Sequence, residues 1–269
     1  MRGLFVTGTD TGAGKTAVSA ALVAAIAAAG EPVRAYKPVV TGLEQQPGAG
    51  GWPHDHELLA AVAGMAPQDI SPLRYRAAAS PHLAARVAGE HTDRVELLAS
   101  APAAASGASA ASATLVVEGV GGLLVPLADE LSVRDLAVAL ALPLVVAARP
   151  GLGTINHTLL TLGAARAAGV EIRSVVLTPW PQRPQALELS NRETIAQLGE
   201  VEVQTLDEIA RPEREELARA GDTLPWRRWL APDAGDRAQA SGWRAGRDAA
   251  RAAPTIASVT DASSCSPIT

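Results

Sequence analysis

Residues 5–16, with the sequence FVTGTDTGAGKT, constrain this chain more than any other segment. A short apolar run passes into a glycine-rich turn, and the turn ends in Gly14-Lys15-Thr16 at the start of an apolar helix. Such a turn can direct successive backbone N–H groups at one anion, and the helix N-terminus adds its positive end. Lys15 would supply a charge to the outer phosphates and Thr16 a hydroxyl to Mg²⁺. The segment therefore predicts a nucleotide-phosphate site.

The spacing of this loop departs from the common phosphate-binding pattern. That pattern is G-x-x-x-x-G-K-[ST], whereas five residues separate Gly8 from Gly14 here. The alternative interpretation is a plain strand-turn-helix built from small residues. The strand, the Gly-Lys-Thr ending and the following helix together favour phosphate binding.

Beyond this segment, short apolar runs alternate with longer Ala- and Leu-rich stretches of helical period. Alternating elements, with strands such as TLVV and PLVVAA that are apolar throughout, are typical of a parallel sheet buried on both faces. We expect an α/β fold of the P-loop NTPase type: a doubly wound, mostly parallel sheet with helices on both faces. Strands are predicted at residues 4–7, 33–36, 114–117, 144–147 and 172–177, and helices at 15–29, 55–63, 81–88, 133–140, 154–168 and 185–198.

Composition narrows the class of protein. Of the 269 residues, 48% are hydrophobic but only 3% aromatic, which suits a core of aliphatic side chains. The net charge of −5 and the lack of a run of Lys or Arg argue against nucleic acid as a partner. The single cysteine, Cys265, offers no disulfide framework or cysteine zinc site, so we expect any metal to be held by oxygen. Since no apolar stretch reaches the about 20 residues of a membrane span and no secretory leader is recognisable, we expect a cytoplasmic protein with no membrane partner.

Two segments interrupt the alternating pattern. Residues 101–113 are low in complexity and are either a helix extension or a loose surface loop. Residues 233–269 mix Ala, Ser, Asp and Arg with few large apolar side chains, and we expect a disordered tail there. The chain is thus predicted to form a single domain over residues 1–232.

A second candidate site follows the strand predicted at residues 114–117. Glu118 stands at the carboxyl end of this strand, and three glycines occupy the next four positions. In an open α/β sheet that edge faces the ligand crevice, where an acid can hold Mg²⁺ directly or through water. The alternative is a strand end with a solvated glutamate.

A third candidate lies in the segment AYKPVVTG. Lys37 follows the second predicted strand, and Thr41 and Gly42 come after it at the same edge of the sheet. Two ammonium groups near one γ-phosphate would offset the charge that develops during phosphoryl transfer. A solvated surface lysine is the alternative.

Together these residues resemble the dethiobiotin synthetase family, whose phosphate loop has the same additional residue. The resemblance covers residues 3–180, about two thirds of the chain, and its motifs occur in the family's order. They are GTDTGAGKT, YKPVVTG, the acid Asp55 in HDHELL, SPHLAAR, VEGVGGLLVPL and LGTINHTLLT.

The resemblance implies an ATP-dependent carboxylation and ring closure. In this family, 7,8-diaminononanoate takes up CO₂ or bicarbonate as a carbamate, ATP phosphorylates the carbamate, and the second amine closes a cyclic urea. The products are dethiobiotin, ADP and phosphate. Lys15, Lys37 and Thr11 would be the catalytic residues, and Thr16, Asp55 and Glu118 would hold Mg²⁺.

The family's remaining contacts transfer position by position. The start of the helix at residues 152–157 would bind the carboxylate of a substrate held by the partner subunit, so a homodimer is implied. Helix capping and packing are the alternative roles for Asn156 and His157. The implied nucleotide contacts are Gly12, Ala13, Gly14, Lys15, Thr16, Ala17, Asp55, Glu118, Gly119, Val120, Gly121, Pro179 and Trp180, and the substrate contacts are Thr41, Gly153, Thr154 and Asn156.

The chain departs from the family after the strand predicted at residues 172–177. Many members carry an Asn-Asp-like pair there that recognises adenine, whereas this chain has Thr178-Pro179-Trp180. Base recognition would then rely on backbone groups or on stacking against Trp180. From residue 181 onward the match to the family is weak.

Three other classes of protein fit the sequence less well. A partition-type or septum-positioning ATPase would carry a lysine early in the loop, where this chain has Thr9-Asp10-Thr11. A silent regulatory domain would have lost Lys37 or Glu118. A cobyrinate amidotransferase would need a glutaminase cysteine, which Cys265 near the chain end does not suit.

Overall fold

The helices and strands alternate along the chain as the sequence predicts. The computed structural model describes residues 1–45, 52–105 and 113–231. Within them the elements are β1 (Gly3–Gly8), α1 (Lys15–Ala28), β2 (Val33–Tyr36), β3 (Val39–Val40), α2 (Asp55–Ala63), α3 (Pro67–Ile70), β4 (Leu73–Arg74), α4 (Pro81–Val87), α5 (Arg94–Ala105), β5 (Thr114–Gly122), β6 (Pro126–Ala128), β7 (Leu131–Ser132), α6 (Val133–Leu140), β8 (Leu144–Ala148), α7 (Thr154–Ala167), β9 (Ile172–Trp180), α8 (Ala186–Gly199), β10 (Val203–Asp207), α9 (Arg214–Asp222) and α10 (Trp226–Trp229).

Six strands form one parallel sheet in the order β10-β9-β8-β1-β5-β2. The central strand β1 pairs with β5 on one side and β8 on the other, so the order in which strands are added to the sheet reverses at β1. Ligands of open α/β sheets bind beyond the carboxyl ends of the strands at such a point. The loop after β1 occupies this position.

Helices cover both faces of the sheet because its strands are apolar on both sides. Leu4 and Val6 of β1 belong to the core cluster that includes α1, α2, α9 and α10. Phe5, which points to the opposite face, belongs to the cluster that includes α4, α5 and α6. A third cluster packs α7 and α8 against β8 and β9. The predicted P-loop NTPase-like α/β fold with helices on both faces is confirmed.

The predicted elements are recovered, and the structure adds others. Each of the five predicted strands and six predicted helices is present; the bounds of β2, α2 and α6 are as predicted, and the others shift at one or both ends. The elements not predicted from the sequence are the edge strand β10, the helices α3, α5, α9 and α10, and the short strands β3, β4, β6 and β7. For residues 101–113, helix α5 continues to Ala105 and residues 106–112 lie outside the described part of the chain.

One compact unit covers Met1–Leu230. The tail predicted at residues 233–269 lies outside the described residues, so the predicted division at residue 232 stays a prediction. Within the part of the chain that the structure describes, no helix combines the length and apolar character needed to cross a membrane.

Helix α9 lies very close to α1, the helix that begins at the phosphate loop. A Cβ at Gly221 of α9 would lie 2.0 Å from the carbonyl oxygen of Ala21 and 2.9 Å from the Cβ of Ala25. The backbone of α1 cannot move aside to relieve a contact this short, so the close approach of the two helices requires glycine at this position.

We predict that Gly221→Ala destabilises the protein, by about 1–3 kcal/mol, through overpacking against α1. Gly163→Ala is the matched control, because Gly163 is also inside a helix but has no atom within 4 Å of the added Cβ. That substitution should stabilise by about 0.5–1 kcal/mol through helix propensity alone. Urea unfolding of both variants measures the difference. A stabilising effect of Gly221→Ala would contradict the described packing.

Candidate active site

The phosphate loop connects β1 to α1 and depends on two glycines. Gly12 and Gly14 have φ values of 73° and 89°, in the left-handed region that favours glycine. A Cβ at Gly14 would also lie 2.3 Å from Cγ2 of Thr178 at the end of β9. The loop therefore combines a glycine-dependent backbone conformation with close packing against a neighbouring strand.

Lys15 is the first residue of α1 and is 7% exposed. Its Nζ donates a hydrogen bond to the backbone carbonyl oxygen of Asp10 at 3.0 Å. Burial, and then the charge of Lys37, lower the pKa of Lys15 to about 8. An anion in the loop would favour the charged form of this ammonium.

Lys37 and Glu118 meet because of the register of two neighbouring strands. Tyr36 of β2 pairs with Val117 of β5, which places Lys37, just after β2, beside Glu118. Strand β5 continues to Gly122, so Glu118 lies within the strand and not, as the sequence predicts, at its carboxyl end. The Nζ of Lys37 lies 2.5 Å from Oε1 of Glu118 and 2.7 Å from Oδ2 of Asp55, the first residue of α2. Lys37 is 3% exposed and Glu118 is fully buried. Three elements thus converge on one ammonium group.

The charges of this cluster support one another. Burial alone would lower the pKa of Lys37, but the carboxylates of Asp55 and Glu118 outweigh it and raise that pKa. Burial would likewise raise the pKa of Asp55, but the ammonium of Lys37 outweighs it and holds that pKa below its ordinary value. Lys37 and Asp55 are therefore both charged at neutral pH.

The oxygen atoms of the cluster suit a hard cation. Thr16 Oγ1 donates to Glu118 Oε1 at 3.0 Å, and Glu118 Oε2 is buried without a hydrogen-bond partner among the described residues. Within those residues, no group of three or more His, Cys, Asp or Glu side chains is arranged to hold a metal ion. The donor set is instead one hydroxyl and two carboxylates, as Mg²⁺ requires when phosphates and waters complete its coordination.

A cleft of about 740 Å³ opens beside these groups. It is lined by many of the residues that the sequence analysis singled out: Thr11, Gly12, Gly14, Lys15, Thr16, Ala17, Lys37, Thr41, Asp55, Val120 and Gly121. Glu118 is buried behind this wall, Ala13 is fully buried, and Gly119 lies close to Val133. The phosphate loop, both lysines and Asp55 therefore share one cleft.

Comparison with known proteins agrees with this arrangement. The model of a family described as an AAA domain matches residues 2–206. The ATP-dependent dethiobiotin synthetase BioD of Anaeromyxobacter sp. (strain Fw109-5) is 42% identical over 212 residues, covering 75% of this chain and 91% of that protein. The enzyme of the same name from Mycobacterium sp. (strain JLS) is 41% identical over 205 residues, with coverage of 74% and 84%. A third, from Anaeromyxobacter dehalogenans (strain 2CP-C), is 46% identical over 179 residues, with coverage of 66% and 76%.

This chain belongs to the dethiobiotin synthetase family. The matched range contains the phosphate loop, Lys37, Asp55 and Glu118. The family predicted from the motifs is confirmed.

Some predicted site residues lie elsewhere. Gly153, Thr154 and Asn156, at the start of α7, do not line the cleft formed by the described residues. Gly153 and Asn156 are exposed, whereas Thr154 is buried with its hydroxyl 3.5 Å from that of Thr158. Their predicted contact with substrate stays a prediction.

The structure does not support base stacking on Trp180. This ring is 8% exposed and packs with Leu177, Ile195 and Val203 between β9, α8 and β10. It is therefore part of the core, and a base cannot lie on its face in this packing. Pro179 is exposed beside it and stays a candidate for contact with the nucleotide.

Several cleft residues have no role that was predicted from the sequence. Ser80 and Pro81 lie in the family motif SPHLAAR, which was a usable signal. Trp52 lies three positions before Asp55 and lines the same cleft, but no pattern distinguished it. Gln45, Ala78 and Val125 also carry no chemical signature that sequence alone could reveal.

We predict that the two lysines titrate far apart. Lys15 and Lys37 are the only lysines in the chain, so a protein labelled with ¹⁵N at lysine Nζ gives two side-chain signals to follow by NMR. The Lys15 signal should titrate near pH 8, below the ordinary lysine value of 10.5, because burial disfavours its charge. The Lys37 signal should stay protonated over that range because two carboxylates contact it. Titration of both signals together would contradict the described site.

Proposed function

We propose that this protein is an ATP-dependent dethiobiotin synthetase. The observation that carries the proposal is the presence of two lysine ammonium groups in one cleft, beside a phosphate loop and a carboxylate. The similarity to enzymes of that name over three quarters of the chain gives independent support. The substrates are 7,8-diaminononanoate, CO₂ or bicarbonate, and ATP.

The reaction requires charge stabilisation more than covalent chemistry by the protein. One amine of the diamine adds to CO₂ and loses a proton to give a carbamate, and a carbamate oxygen attacks the γ-phosphorus of ATP with ADP leaving. The second amine then attacks the carbamate carbon, closing the cyclic urea and releasing phosphate. A carbamate and a triphosphate repel each other, so Lys15 and Lys37 would lower the barrier by positioning both and offsetting their charge.

Mg²⁺ is part of the proposal. Thr16, Asp55 and Glu118 would hold it, supported by their oxygen atoms and by the unpartnered Oε2 of Glu118. The ion would supply charge neutralisation between the phosphate oxygens. The backbone N–H groups of the loop would orient the phosphates, and Thr11 lines the same wall.

The cleft wall beyond Lys37 would hold the diamine. Thr41 offers a hydroxyl there, while Val40, Ala78 and Val125 supply apolar surface for its alkyl chain. The diamine has polar groups joined by an apolar chain, so its binding site requires both polar and apolar contacts.

We further propose a homodimer in the cytoplasm, where ATP is available. On α7, Leu160 is 65% exposed, and Leu152 just before the helix is 92% exposed. Asn156 and Leu160 lie four positions apart within α7 and share one face, and Leu152 adjoins the start of the helix. A second copy covering this face would bring Gly153, Thr154 and Asn156 close to a neighbouring cleft, where the helix N-terminus suits a carboxylate.

We predict that phosphate release from MgATP requires both bicarbonate and 7,8-diaminononanoate, with dethiobiotin formed in equal amount. Lys15→Ala and Lys37→Ala should each lower kcat/KM by at least about 10²-fold, because each removes a charge that stabilises the transferring group. Coupled phosphate release and mass spectrometry of the product measure these effects, with the folded fraction checked by circular dichroism.

Arg2→Ala is the control for loss of a positive charge. Arg2 pairs with Glu31 at 3.0 Å at the amino end of the sheet, away from the cleft, so its loss should leave kcat/KM unchanged. Equal ATP hydrolysis with and without the diamine would contradict the synthetase proposal and favour a partner-binding ATPase switch.

A further inference from the structure

Lys37 occupies the space between the two carboxylates that the proposed Mg²⁺ would use. Its ammonium lies 2.7 Å from Asp55 Oδ2 and 2.5 Å from Glu118 Oε1, and Thr16 donates to that same Glu118 oxygen. All three proposed metal ligands are therefore already engaged in one hydrogen-bonded cluster around Lys37.

The Lys37 ammonium and a divalent ion cannot both contact Asp55 Oδ2 and Glu118 Oε1. An ion held through Glu118 Oε2, which has no hydrogen-bond partner among the described residues, would still lie next to that ammonium. Mg²⁺ requires ligand oxygens at about 2.0–2.1 Å and near-octahedral geometry. Two cations placed beside the same carboxylates would repel each other, and water screens this repulsion least at Glu118, which is fully buried, while the Asp55 side chain is 44% exposed. The two cations therefore disfavour each other at this pair of carboxylates.

Lys15 provides the contrast within the same cleft. Its ammonium donates to the backbone oxygen of Asp10 and forms no hydrogen bond with either carboxylate among the described contacts. A metal bound between Asp55 and Glu118 would thus replace the hydrogen-bond acceptors of Lys37 but not the acceptor of Lys15.

We propose that Lys37 and the divalent cation compete for Asp55 and Glu118, so that metal binding releases the Lys37 ammonium into the cleft to bind the carbamate. This inference rests on the proposed function. It makes the second cation of the reaction available only after the metal has been bound. Because coupling between two ligands is reciprocal, metal should strengthen binding of the carbamate, and the carbamate should strengthen binding of metal.

The wild-type protein allows a direct test, since the chain contains only these two lysines. With ¹⁵N at lysine Nζ, ADP in EDTA should shift the Lys15 signal, because phosphates bind the loop. Addition of excess Mg²⁺ to that sample should then shift or broaden the Lys37 signal as its carboxylate partners are lost. A Lys37 signal that stays unchanged while ADP and Mg²⁺ are both bound would overturn the inference.

A variant tests the competition from the side of the metal. The affinity for Mn²⁺ is measured without nucleotide, with the free ion monitored by electron paramagnetic resonance. Lys37→Met should bind Mn²⁺ at least about 10-fold more tightly than wild type, equivalent to about 1.4 kcal/mol. Lys15→Met is the matched control, since it removes the same charge from the same cleft without touching either carboxylate. Equal tightening in both variants, or none in Lys37→Met, would overturn the inference.

These results are separable from those on the proposed function. If wild-type protein forms dethiobiotin while the Lys37 signal does not change on addition of Mg²⁺, only the proposed competition between Lys37 and the metal is wrong. If Lys37 responds to Mg²⁺ but no dethiobiotin forms, the competition stands and the synthetase proposal is wrong. Should Lys37→Met fold poorly, the NMR measurement on wild-type protein still decides.

Discussion

The site depends on the contact of the buried Lys37 ammonium with the carboxylates of Glu118, which is also buried, and of Asp55, which is partly exposed. Removal of one partner from a buried ion pair is strongly destabilising, because it leaves a charge without compensation in a poorly solvated place. The contact also joins the residue after β2, the middle of β5 and the start of α2 at one point. Its geometry thus follows from the parallel register of two strands and from the placement of one helix.

The two lysines have different environments in one cleft. Lys15, held by a backbone carbonyl, has a pKa lowered to about 8, whereas the pKa of Lys37 is raised by its carboxylate partners. An arriving phosphate would therefore stabilise the charge of Lys15, while a metal would compete for the partners of Lys37. The cleft can in this way respond separately to the two components of a metal–nucleotide complex.

Much of this could be predicted from the sequence because its signals are local. The Gly-Lys-Thr ending of the loop, the buried strands and the polar residues at strand ends each reflect short-range rules that the parallel sheet preserves. The edge strand β10 was missed because only Val203 and Leu206 of it are buried, which weakens the apolar pattern. Trp180 was misjudged because burial between β9 and α8 is a tertiary property that the local sequence does not encode. The close contact of Gly221 with α1 is likewise a long-range feature.

A double-mutant cycle measures the central contact most directly. Free energies of unfolding in urea with EDTA would be compared for wild type, Lys37→Met, Glu118→Gln and the double variant. We predict a coupling energy of at least about 2 kcal/mol, with the double variant losing much less stability than the two single losses combined. Additive effects, with a coupling energy within about 0.5 kcal/mol of zero, would contradict the claim that this ion pair organises the site.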